Sequence, residues 1–208
     1  MPTPPPPPPP PVDPASLFIV HYPDPVLRVR AADVPDVTGE VRDVADRMLE
    51  LMFDAPGIGL AAPQVGLSWR LFVCHVPPED EQREETEEPG DTAGENAVAP
   101  PLASTAGPMV FINPVLSDPT GPVEWESEGC LSLPRITGEV PRPRTITVSA
   151  LDREGKPFTL TATGLLSRCV QHETDHLDGV LILDKMSPLS RLRTRSTVRG
   201  LEKAAGVR

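Results

Sequence analysis

The sequence predicts an α+β domain built on an antiparallel sheet, and three observations lead there. Short β-like runs recur at 71–76, 109–116, 145–151 and 158–163, divided by turn residues such as Asp152-Arg153-Glu154-Gly155-Lys156. Helical spacing of apolar residues precedes and follows them. The 208 residues, 38% of them apolar, suffice for one domain with a hydrophobic core.

The chain opens on a proline run from Pro4 to Pro11, which has no backbone N–H to donate and little to bury; residues 1–16 are expected to form a disordered tail. A single domain is then expected to cover 17–205. Val41, Val44, Ala45, Met48, Leu49 and Met52 follow the i, i+3, i+4, i+7 pattern, which predicts an amphipathic helix capped by Thr38 or Asp36 and ending near Asp54. Next comes Ala55-Pro56-Gly57-Ile58-Gly59-Leu60-Ala61-Ala62-Pro63-Gln64-Val65-Gly66. It is too rich in Gly and Pro for an ordinary element and is read as a shaped loop.

Between the first two β-like runs, 78–107 holds little that could pack and reads as a disordered acidic insertion in the domain. It also explains the charge. The net value is −11, but residues 79–95 hold nine acids and one arginine, so the rest of the chain carries only −3. A second helix is expected over 164–177, with Leu165, Cys169, His172 and His176 on one stripe and Gly179 ending it. A last one runs from Ser187-Pro188 to about Ala205; residues 187–208 hold six cations against Glu202.

No apolar run approaches the roughly 20 residues of a membrane helix, and no signal-peptide pattern opens the chain, so a cytoplasmic protein with no membrane partner is expected. Three cysteines, an odd and scattered set, suit reduced thiols better than a disulfide framework.

The chemistry concentrates in Gln171-His172-Glu173-Thr174-Asp175-His176. Two histidines four apart share a helix face and can hold one metal, leaving Glu173 free to move a proton. The third ligand must come from elsewhere. The metzincin continuation fails, because Ile182 stands where its third histidine belongs and no histidine follows His176. Cys130, in Glu128-Gly129-Cys130-Leu131-Ser132, is the better candidate. A thiolate with two neutral imidazoles leaves an open position on zinc or iron(II).

Three segments together, Gly57-Ile58-Gly59-Leu60-Ala61-Ala62-Pro63-Gln64, Glu128-Gly129-Cys130-Leu131-Ser132 and Gln171-His172-Glu173-Thr174-Asp175-His176, resemble the peptide deformylase family in sequence and order. The resemblance implies antiparallel strands packed around a central metal-binding helix. It implies a hydrolase that removes the formyl group from the N-terminal formyl-methionine of new polypeptides and releases formate. Carried over, Cys130, His172 and His176 are the metal ligands and Glu173 the general acid/base. Gln64, through its amide, and Leu131, through its backbone N–H, become donors to the developing oxyanion, and Gly59 is a close approach to the bound peptide. Ile58, Leu165 and Cys169 are candidates for the methionine pocket, with Arg168 and Glu126 making its rim more polar. The implied metal is iron(II), with zinc, nickel or cobalt also fitting the ligand set. The basic C-terminal helix is a candidate for docking on the ribosome. A different metallo-amidase or peptidase, or a binding relative without catalysis, are the alternatives.

Overall fold

The computed structural model describes residues 12–78 and 100–206. Five strands form one antiparallel sheet in sequence order: β1 (Gly59–Ala61), β2 (Leu71–Cys74), β3 (Met109–Gly129), β4 (Thr137–Leu151) and β5 (Pro157–Thr163). Helix α1 (Gly39–Asp54) precedes them, and α2 (Gly164–Leu177), α3 (Ile182–Lys185) and α4 (Pro188–Ala204) follow. The α+β expectation and the antiparallel sheet hold.

Alternation along the central strands sorts the core. Leu60, Leu71, Val73, Val110 and Ile112 face α1 and meet Val41, Val44, Ala45, Met48 and Met52. Ala61, Phe72, Cys74 and Phe111 point the other way, onto Leu166, Cys169, Val170 and Leu177 of α2. The sheet is therefore covered on both faces, and β2 is buried along its whole length. Thr38 is the residue that caps α1, its hydroxyl accepting from the Val41 N–H.

Three expectations need correction. The shaped loop contains β1 and a short 3₁₀ turn, Ala62–Val65, because Gly59 to Ala61 find partners in Cys74 to Phe72. Strand β3 continues thirteen residues past the expected end at Leu116. Ser117-Asp118-Pro119-Thr120-Gly121-Pro122 reads as a turn, but register shifts there, with Asp118 and Gly121 at positive φ, bend the strand without ending it. Strand β4 lengthens to match, so Val123 to Gly129 pair with Pro143 to Thr137.

The expected insertion also ends earlier than Gly107. Leu102 exchanges two backbone hydrogen bonds with Thr161 and Thr163 of β5, and Thr105 N–H donates to Val76 O at 2.7 Å while Val76 N–H donates to Thr105 Oγ1 at 3.1 Å. At the other end, Asp13 caps a 3₁₀ turn at Pro14–Ser16, and Val12 packs against the α1 cluster, so the expected tail is structured from Val12. The proline run Pro4 to Pro11 and the acidic stretch 79–95 lie outside the described residues.

A third cluster, Leu27, Leu133, Ile136, Val140, Leu181, Ile182 and Met186, fastens the C-terminal segment beside the loop that carries Cys130. Gly138 makes this possible, because a Cβ there would sit 2.9 Å from Met186 Cε and 3.0 Å from Ser190 Cβ. Among the described residues no helix is long and apolar enough to cross a membrane.

Candidate metal centre

Helix α2 begins beside β5 and runs under the sheet, burying its Leu166-Cys169-Val170-Leu177 face. One turn apart on that helix, His172 and His176 bring their rings to 5.0 Å between centroids. Cys130 arrives from the turn that follows the long β3, with Sγ 3.3 Å from His176 Nε2. Ligand atoms of Cys130, His172 and His176 all lie within 4.8 Å of one another. A thiolate and two imidazoles converging at this spacing fit one divalent cation, with iron(II) and zinc both acceptable to the donor set.

The remaining ring nitrogen of His172 is held. His172 Nδ1 lies 3.0 Å from Glu128 Oε2, which directs the Nε2 edge toward Cys130 and His176. Glu128 is itself buried and clamped. Arg142 donates to both of its oxygens, at 2.6 and 2.9 Å, and Arg168 donates to Oε1 at 2.8 Å. Burial alone would raise the Glu128 pKa, but the hydrogen bonds from Arg142 and His172 outweigh it and hold the carboxyl well below the usual range. A second arm of Arg142 reaches Asp175 at 2.9 Å, tying the sheet to the same helix that carries both histidines.

For His172, burial disfavours the charged ring, while Cys130 and Glu128 accept from it and Glu173 adds negative field, so the net effect raises its pKa to about 10. That anionic surrounding favours a cation at this spot, whether a proton or a metal. Burial, reinforced by the charge of His172, pushes His176 well below the ordinary value. Burial pushes Glu173 up to about 7, where a carboxylate can both take and return a proton near neutrality. Glu173 Oε2 and His176 Nδ1 are buried with no hydrogen-bond partner among the described residues.

Gln64 is oriented by the backbone. Its Oε1 accepts from the Ala61 N–H at 2.8 Å, which turns Nε2 toward Ser132 Oγ at 3.3 Å and Cys130 Sγ at 3.5 Å. Gly59 lies directly over Glu173: a Cβ there would stand 2.8 Å from Glu173 Cδ and 2.9 Å from Cys169 Sγ. Leu131 packs its Cδ1 against Gly57.

A cavity of about 410 Å³ joins these groups, lined by Ile58, Gly59, Gln64, Cys130, Leu131, Leu165, Cys169, His172 and Glu173 among others. Every residue singled out from the sequence lines it except Glu126 and His176, the latter completing the ligand set with 1% of its surface exposed. Ile58 and Leu165 form the exposed rim and Cys169 the buried wall. The polar rim expected from Arg168 and Glu126 is a satisfied ion pair, with Arg168 Nε 3.0 Å from Glu126 Oε2. Sequence reasoning missed the part played by Glu128 and Arg142. Its trace was there in Glu124, Glu126 and Glu128 at every second position, opposite Arg142, Val140 and Gly138 on the paired strand.

The family model for polypeptide deformylase matches residues 17–192. A peptide deformylase of Alkalilimnicola ehrlichii is 44% identical over 189 residues, covering 91% of this chain and 90% of the relative. One from Thermodesulfovibrio yellowstonii is 41% identical over 177 residues, covering 85% and 93%. The crystal structure of peptide deformylase from Ehrlichia chaffeensis superposes with a TM-score of 0.76 at 33% identity, covering 92% of this chain and 99% of that one. With the fold, the cysteine–histidine–histidine centre and these matches in agreement, the chain belongs to the polypeptide deformylase family, metal-dependent hydrolases that remove the formyl group from the N-terminus of new polypeptides.

Proposed function

We propose that Cys130, His172 and His176 hold one iron(II) ion and that Glu173, Gln64 and Leu131 carry out hydrolysis of the formamide on N-formylmethionyl polypeptides. The observation that carries this reading is the convergence of the three ligand atoms within 4.8 Å, next to a buried carboxylate oxygen that lacks a partner among the described residues. A divalent cation held by Cys130, His172 and His176 would supply Lewis-acid chemistry, lowering the pKa of water toward neutrality and polarising the formyl group.

Glu173 accepts the proton lost by the attacking water. It then delivers that proton to the amine nitrogen as the C–N bond breaks, so formate and a free N-terminus leave together. Gln64 Nε2–H and the Leu131 backbone N–H donate to the formyl oxygen as negative charge builds on it; one such donor is worth about 3–4 kcal/mol in comparable sites. The Ala61 N–H keeps the amide of Gln64 from turning its oxygen toward that charge. The strand edge at Gly59 receives the substrate backbone, and the absence of a side chain there leaves room for Glu173. Ile58, Leu165 and Cys169 receive the methionine side chain along the apolar side of the cavity.

The reaction is placed in the cytoplasm, where nascent chains emerge, with the basic face of α4 as a contact to the ribosome. The test of the whole reading is anaerobic purification with metal analysis, followed by formate release from formyl-Met-Ala-Ser against acetyl-Met-Ala-Ser and the unblocked peptide. One equivalent of iron and release from the formyl peptide alone are expected. Cleavage of the acetyl peptide or of an internal bond at a similar rate would point to a different amidase or a peptidase.

A further inference from the structure

Arg135 stands apart from the other charged groups around the cavity. It lines the cavity together with Cys130, His172 and Glu173, and it is exposed. Arg168, the other lining cation, is fully engaged by Glu126, Glu128 and the carbonyls of Val140 and Glu124. Glu128 is engaged by Arg142, Arg168 and His172, and Glu173 is buried against Gly59. Among the described residues no acidic side chain forms an ion pair with Arg135.

The backbone makes this placement more telling. Ile136 N–H donates to Leu133 O at 3.1 Å, closing a turn over Leu133-Pro134-Arg135-Ile136 with proline second and Arg135 third. Arg135 sits there at φ 63°. A turn that needs positive φ at its third position favours glycine, and a residue with a Cβ is strained in it. The chain holds a strained arginine, beside its reactive centre, where glycine would relax the fold. Strain retained at such a place points to a use for the side chain.

We propose that Arg135 is a specificity residue, favouring formylated chains that carry a carboxylate in the first residues after the methionine. This rests on the deformylase reading above. With the formyl group at Cys130, His172 and His176 and the methionine against Ile58, Leu165 and Cys169, the peptide leaves past the rim. An extended chain advances about 3.3 Å per residue, so its second and third side chains pass that rim in turn. A solvated pair of this kind changes kcat/KM by about 3-fold and weakens as salt rises.

The test compares formyl-Met-Glu-Ser with formyl-Met-Gln-Ser, and formyl-Met-Ser-Glu with formyl-Met-Ser-Gln, in the native, R135K and R135G metal-loaded enzymes. The readout is the Glu/Gln ratio of kcat/KM from formate release, which cancels any general change in activity. A ratio of about 3 at one position is expected in the native enzyme, largely kept in R135K and reduced to 1 in R135G, whose Tm rises as the strain is released. A native ratio of 1 at both positions, or a ratio that survives in R135G, overturns the proposal. Absence of formate release from all four peptides would instead sink the deformylase reading, and this inference with it.

Discussion

Gly59 and Glu173 occupy adjoining space so tightly that a single methyl on the glycine would stand 2.8 Å from the carboxyl carbon. The strand edge and the Glu173 carboxylate are therefore positioned by each other, although they stand 114 positions apart in the sequence.

Gly59→Ala should displace the Glu173 carboxylate while the sheet and the ligand set persist. A misplacement on the order of 1 Å lowers kcat by about 10²-fold. Unaltered metal content and circular dichroism, alongside the lost turnover, would separate this effect from unfolding.

Glu173→Ala and Cys130→Ser should fail in different ways. The first retains metal and loses about 10²- to 10⁴-fold in turnover, because only proton transfer is removed. The second weakens metal retention on dialysis against a chelator. A Glu173→Ala enzyme that loses metal yet still turns over would contradict both roles.

Glu128→Gln should destabilise the fold by about 3–5 kcal/mol at pH 7, since it leaves Arg142 and Arg168 buried with their shared carboxylate gone. The sign with pH follows from the lowered pKa. A carboxyl that is more acidic in the folded state stabilises above its unfolded value, near 4.3, and that contribution fades as pH falls through the lower folded value. Urea denaturation of both proteins should therefore show the gap narrowing below about pH 4. A constant gap would mean that the substitution acts through packing and not through charge.

Charge reversal at Arg193, Arg195 and Arg199 tests the ribosome contact more cleanly than removing α4. Ser190 and Met186 pack against Gly138, Tyr22 Oη donates to Glu202 at 2.9 Å, and Val198 and Leu201 lie on the third core cluster, so truncation would strip the fold near Cys130. The three arginines are exposed. R193E/R195E/R199E should reduce co-sedimentation with ribosomes and leave formyl-peptide turnover intact; unchanged co-sedimentation would rule out this face.

Much of this was legible in the residues. The stripe of α1 carries the 3.6 period cleanly because it buries one face on the sheet, whereas α2 is buried on several sides and Leu165 of its expected stripe is exposed. Cys130 was reachable by asking what completes two histidines. The far half of β3 was not, because Asp118, Pro119 and Gly121 are turn residues by any local criterion and only pairing with β4, a long-range property, keeps them in a strand. Strand β1 was hidden for the same reason. Three residues with two glycines nearby become a strand only once Cys74 lies opposite Gly59. The orientation of Gln64 depends on the Ala61 N–H, and no pattern in the sequence announces a side chain held by its own neighbouring turn.

Thr105 meets Val76 through one main-chain bond and through its own hydroxyl, so the two ends of the stretch between them are joined directly to each other. Loop closure then adds only about 0.6 kcal/mol for each doubling of length. Chain added between Pro78 and Pro100 is therefore expected to cost the fold little, because β2 and β3 stay paired on either side of it.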